Sequence, residues 1–120
     1  MASCGDGPAE RSLLAKNLQT VARRALTPCA AMDAFRFADG AVARDLADLR
    51  HAVGTKSAYL VEHHRDQYAP WVERVLGDPA LARRIERLAR ARRGAEPESY
   101  RGELALVLDE RIGKLRDRVL

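Results

Sequence analysis

The chain is poor in cysteine, with two, and in aromatics, which make up 5% of its 120 residues. Cys4 and Cys29 are too few for a disulfide framework, and no CxxC spacing marks a zinc site. No apolar run approaches the roughly 20 residues that span a bilayer, so no membrane segment is expected. Met1 to Gly7 lacks a charged stretch followed by an apolar one. No signal peptide is therefore expected, and the chain reads as cytoplasmic with reduced thiols. The GxSxG, P-loop, GxGxxG and HExxH patterns are missing, and Ser12, Ser57 and Ser99 have no nucleophile context. Nothing here amounts to a catalytic motif. The expectation is a non-enzyme that needs no cofactor.

What the chain does have is ordinary globular balance. Hydrophobic residues are 47% and charged residues 32%, enough for one domain with a modest core. With aromatics scarce, Ala, Leu and Val must carry that core. Arg far outnumbers Lys and Ala is abundant, a bias that a GC-rich genome produces as readily as function does.

Apolar periodicity predicts a mainly α-helical domain of five or six helices over residues 9–120, after a disordered start at residues 1–8. Leu14, Leu18, Val21 and Ala25 define a first helix. Thr27-Pro28 reads as an N-cap and first helical residue of a short helix running through Met32. In that setting Cys29 would sit at a helix N-terminus, although a structural thiol is the simpler reading. Phe35-Arg36-Phe37 alternates, and Asp39-Gly40 follows as a turn, so one short β-hairpin is expected at residues 35–43. Leu46, Leu49 and Val53 mark a helix that Gly54-Thr55 ends. Residues 56–64 fit either a helix or a strand. Asp66 reads as the N-cap of a helix carrying Tyr68, Trp71, Val72, Val75 and Leu76, with Pro70 in its first turn.

The best-defined boundary is Gly77-Asp78-Pro79: a left-handed glycine, a capping aspartate and a helix-opening proline. The helix that follows runs to Arg93, with Leu81, Ile85 and Leu88 inward. A last helix from Glu98 carries Leu104, Leu108, Ile112, Leu115 and Val119 on one stripe, with Glu110 and Lys114 as an i,i+4 pair. That stripe suits either the core or a twin helix in a homodimer.

Phe35-x-Phe37, Leu46-x-x-Leu49, Asp66-x-Tyr68-Ala69-x-Trp71-Val72 and Val75-Leu76-Gly77-Asp78-x-x-Leu81-Ala82 together resemble a family of small bacterial and archaeal domains of unknown function. The resemblance covers residues 35–92, and its Trp-x-x-x-Val-Leu-Gly-Asp-x-x-Leu-Ala segment is the specific part. It implies a shared domain core and no activity. Glu62 precedes His63-His64 where the family tends to place aromatics.

Charge is the one concentrated signal. Arg83, Arg84, Arg87, Arg90, Arg92 and Arg93 fall within eleven residues with only Glu86 among them, giving that segment +5 in a chain of +4. On a helix, Arg83, Arg87 and Arg90 share a face with Arg84 at its edge. Such a face suits an acidic protein partner, or the phosphates of a nucleic acid, or it is simply the solvated side of an amphipathic helix. The reading adopted is a non-enzymatic interaction module using Arg83, Arg84, Arg87 and Arg90, with nucleic acid as the alternative on the same face. A second alternative is a small metal-dependent or acid/base enzyme built on His63, His64 and Asp66, with Tyr59, Glu62 and His51 nearby. Adjacent histidines on a helix point about 100° apart, which disfavours joint chelation. Trp71, Tyr68, Phe35 and Phe37 are expected to be core, anchoring the hairpin to the helices.

Overall fold

The computed structural model describes residues 8–119, with side chains from Asn17 onward. The predicted disordered start and Cys4 therefore lie outside the described residues up to Gly7, and Pro8 opens the first helix. The architecture is mainly α-helical with one short hairpin, as expected. In order, it comprises α1 (Pro8–Ala25), a 3-10 turn (Ala31–Asp33), β1 (Phe35–Arg36), β2 (Val42–Ala43), α2 (Leu46–Thr55), α3 (Ala58–His63), α4 (Tyr68–Trp71, prolonged by a π-helical segment Val72–Leu76), α5 (Pro79–Ala91) and α6 (Pro97–Val119).

α6 is the axis of the fold. It packs against α1, α2, α3 and α5, and Tyr100, Leu104, Leu108, Ile112 and Leu115 of its inner stripe are buried. Of the predicted stripe, Leu104, Leu108, Ile112 and Leu115 are thus buried within the chain, whereas Val119 at its end is exposed. Tyr100 is one residue beyond the predicted stripe, four positions before Leu104. The same spacing argument reaches it.

The hairpin pairs Phe35 with Ala43 and Arg36 with Val42. Gly40 takes a positive φ of 92° at its turn, and Asp39 Oδ1 accepts from Ala41 N at 3.0 Å. So short a hairpin is marginal alone and must pack on something. Phe35 supplies that packing: its ring lies 5.1 Å from Tyr68 and 5.6 Å from Trp71, centroid to centroid. Trp71 Nε1 donates to the Asp33 carbonyl at 2.8 Å, and the Tyr68 hydroxyl donates to the Val61 carbonyl at 2.7 Å. These aromatics are the core that the sequence suggested.

Two local expectations are corrected. Thr27-Pro28 does not start a helix: the Thr27 hydroxyl donates back to the Arg23 carbonyl and closes α1. Cys29 lies in the linker that follows, pinned through its N–H to the Arg44 carbonyl at 2.8 Å and through its carbonyl to Arg44 Nε at 2.7 Å. Asp66 is not an N-cap. Residues 58–63 are helical with Ser57 as the cap, its Oγ accepting from Leu60 N at 3.2 Å. Gly54-Thr55 does end α2, as expected. Thr55 is its last residue, and Arg101 Nη1 donates to the Gly54 and Lys56 carbonyls on either side of it.

The Gly77-Asp78-Pro79 corner is as expected, with Gly77 at φ 69° and Asp78 Oδ1 accepting from Leu81 N at 3.1 Å. The sequence did not reveal what completes it. Arg111 of α6 reaches Asp78 with Nε at 2.7 Å from Oδ2 and Nη2 at 2.8 Å from Oδ1. Asp78 is buried, its side chain 1% exposed, and the Arg111 side chain is largely covered at 11%. One carboxylate thus caps α5 and anchors α6.

Candidate functional site

The arginine cluster lies on α5 and the turn after it, and most of it is engaged. Arg84 Nη2 lies 3.0 Å from Glu110 Oε2 on α6, so Glu110 turns to α5 in place of the expected Lys114 pair. Arg92 grips Glu103 of α6 with both Nε and Nη2. This contact holds the Glu103 carboxyl below its ordinary range and tightens the proton on Arg92. Arg93 Nη2 is 3.3 Å from Asp66 Oδ1, and Arg90 Nη2 is 3.4 Å from Glu86 Oε2. Arg83 and Arg87 are different. Both are exposed, one turn apart on the same helix face, and neither has an acidic partner among the described residues.

The charge available to a partner is therefore smaller than the sequence implies. Six arginines meet four carboxylates in direct pairs, and two cations remain uncompensated. The pairs are exposed, and such pairs contribute roughly 0–1 kcal/mol each, so a competing acid can exchange into them. Of the four residues proposed from sequence, Arg83 and Arg87 are free, while Arg84 and Arg90 are held in weak bridges.

The histidine cluster does not converge. His64 is buried in the aromatic core, 5.5 Å from the Phe35 ring and 5.4 Å from the Phe37 ring. Its Nε2 accepts from Ala38 N at 3.0 Å, and its Nδ1 meets Gln67 Oε1. Since an N–H must be accepted at Nε2, the proton sits on Nδ1 and donates to Gln67. Both nitrogens are thus used to tie the hairpin loop to the turn before α4. His63 is exposed and stacks edge-on to His64 at 4.9 Å. Glu62 pairs with Arg65 at 2.7 Å and Asp66 with Arg93. Among the described residues, no three of His, Cys, Asp and Glu come together in a group that could hold a metal ion. No described helix is long and apolar enough to cross a membrane.

Sequence reasoning passed over a second basic locus. Arg23 and Arg24 at the end of α1 and Arg74 in the π segment of α4 line one cleft. Arg24 crosses between the two helices: its Nε donates to the Val75 carbonyl at 3.0 Å and its Nη2 to the Arg74 carbonyl at 2.9 Å. A cation at that position satisfies the last carbonyls of α4 and complements the negative end of its dipole. The signal in the sequence was only the pair Arg23-Arg24, ordinary for a helix C-terminus.

The fold defines a small, mainly α-helical domain with an arginine-bearing outer helix. Compared with known proteins, the chain matches no family model, no curated protein and no solved structure.

Proposed function

We propose that this domain is a non-enzymatic cytoplasmic interaction module whose α5 presents Arg83 and Arg87 to an acidic protein surface. One observation carries the reading: two exposed guanidiniums stand one turn apart without acidic partners among the described residues, while the other arginines of α5 and of the turn after it are held by carboxylates. Arg84 and Arg90 flank them and join the contact by exchanging Glu110 and Glu86 for acids of the partner. The engagement of His64 in the scaffold supports a binding role over an acid/base one. The resemblance of residues 35–92 implies no activity and adds nothing to the reading.

Salt dependence separates a protein partner from a nucleic acid on this face. Binding to duplex DNA scales with salt at a log–log slope of about −0.9 per neutralised phosphate. Two free cations give roughly a tenfold loss between 50 and 200 mM salt, whereas six give more than about a thousandfold. The test is fluorescence anisotropy of a labelled Asp/Glu-rich peptide and a labelled DNA duplex, each titrated with the protein at both salt concentrations. The proposal requires the peptide to bind at least as tightly as the duplex, with a shallow salt response. A duplex that binds more tightly, with a thousandfold collapse, would make the face a nucleic-acid surface.

A further inference from the structure

The cleft between the end of α1, the linker after it and the end of α4 has a volume of about 680 Å³. That lies within the roughly 300–1,000 Å³ of small-ligand sites. Three guanidiniums, Arg23, Arg24 and Arg74, share its wall with one carboxylate, Asp33. Neither the Arg23 nor the Arg74 side chain has a partner among the described residues. Two helix C-termini meet here, and bare carbonyls would repel an anion. Three of these carbonyls are covered: Arg24 takes those of Arg74 and Val75, and the Thr27 hydroxyl takes that of Arg23. The linker wall is held in place by the two bonds between Cys29 and Arg44.

We propose that this cleft binds the phosphate of a small phosphomonoester. Its wall carries a net of two positive charges, matching the roughly −1.5 to −2 of a phosphomonoester at neutral pH. Guanidinium forks suit phosphate oxygens in a bidentate fashion. Arg24, fixed by its two carbonyls, is a preset donor, and Arg23 and Arg74 close on the anion from the two helices. Val75 and Cys29 offer apolar surface for the organic part. The site is separate from the α5 face and stands or falls independently of it.

The full chain, labelled with 15N, is titrated with inorganic phosphate at pH 7.5, with ionic strength held constant by sodium chloride. Amide signals of Arg23, Arg24, Cys29, Arg74 and Val75 should move saturably. Arg24 is left intact because it holds the end of α4; the test variant is Arg23→Gln with Arg74→Gln. It should weaken binding at least about tenfold, the loss of charge-assisted hydrogen bonds at the anion. The control, Arg83→Gln with Arg87→Gln, removes the same formal charge elsewhere and should leave binding unchanged. Adenosine monophosphate and O-phosphoserine, titrated next, should each bind more tightly than inorganic phosphate, and the tighter of the two identifies the source. No saturable shift up to about 50 mM phosphate would overturn the site. Equal weakening in both variants would reduce it to diffuse attraction, and weaker binding of both organic phosphates would overturn the phosphomonoester assignment.

Discussion

Replacing Arg111 by Met should cost more stability than any other single surface-to-core change in this domain. The substitution keeps most of the apolar stem and removes the charge. It leaves the Asp78 carboxylate, 1% exposed, with only the Leu81 N–H as a partner. Breaking a buried ion pair from one side costs about 3–5 kcal/mol, because the remaining charge stays desolvated. Domains of this size have roughly 5–15 kcal/mol in total. With a urea slope of about 2 kcal/mol/M, the midpoint should fall by about 2 M. Arg84→Met, which breaks the exposed bridge to Glu110, should cost no more than about 1 kcal/mol. Combining Asp78→Asn with Arg111→Met removes both charges and keeps an asparagine cap, so the pair should recover to within about 2 kcal/mol of the parent. Urea unfolding followed by circular dichroism and by Trp71 fluorescence gives the stability of the parent, of the Arg111→Met and Arg84→Met variants, of Asp78→Asn alone and of the double variant. An Arg111→Met cost below about 1 kcal/mol, or a double variant whose loss is the sum of the singles, would refute the assignment of this pair as a buried tie between α5 and α6.

Other expectations follow from the same geometry. Gly77→Ala must adopt φ near 69° and place its Cβ 2.8 Å from Arg24 Cδ, so thermal unfolding should show a loss of about 1–3 kcal/mol. Gly113→Ala meets nothing within 4 Å in the middle of α6 and should instead gain about 1 kcal/mol. His64→Leu keeps the bulk but strands the Ala38 N–H, and chemical denaturation should show a loss of about 1–3 kcal/mol, with amide exchange quickened in the hairpin. Burial raises the Tyr68 and Tyr100 hydroxyls above the ordinary tyrosine value, in both cases chiefly by desolvation. A raised folded-state value means that this contribution to stability is intact below about pH 10 and is lost as pH climbs beyond it. Absorbance at 295 nm should therefore show both rings ionising only together with unfolding; ionisation of all three tyrosines in the native protein would contradict the burial.

What the sequence revealed was what short-range chemistry controls. Gly77-Asp78-Pro79 carries its own cap and its own left-handed residue, so the α4–α5 corner could be placed to the residue. The Phe-x-Phe alternation and Asp39-Gly40 likewise located the hairpin. Thr27-Pro28 misled because the same local preference was overruled from a distance: Arg44, fifteen residues on from Cys29, holds that linker in place. Asp66 looked like a cap but spends its carboxylate on Arg93, 27 residues away. The arginine cluster shows the same limit. Counting charge along one helix gives +5, yet Glu103 and Glu110 arrive from α6 and Asp66 from the turn before α4. Among the described residues, only Arg83 and Arg87 of the cluster emerge uncompensated, a distinction that depends wholly on tertiary packing. The Arg23–Arg74 cleft was illegible for the same reason, its arginines being fifty-one positions apart.

The most direct test of the α5 face compares two variants on one labelled Asp/Glu-rich peptide at about 50 mM salt. Arg83→Ala with Arg87→Ala should weaken binding roughly fivefold or more, the loss of two exposed ion pairs. Arg84→Ala with Arg90→Ala should weaken it less, because those side chains must first leave Glu110 and Glu86. Equal losses from the two pairs, or undiminished binding without Arg83 and Arg87, would contradict the division of this helix into free and engaged arginines.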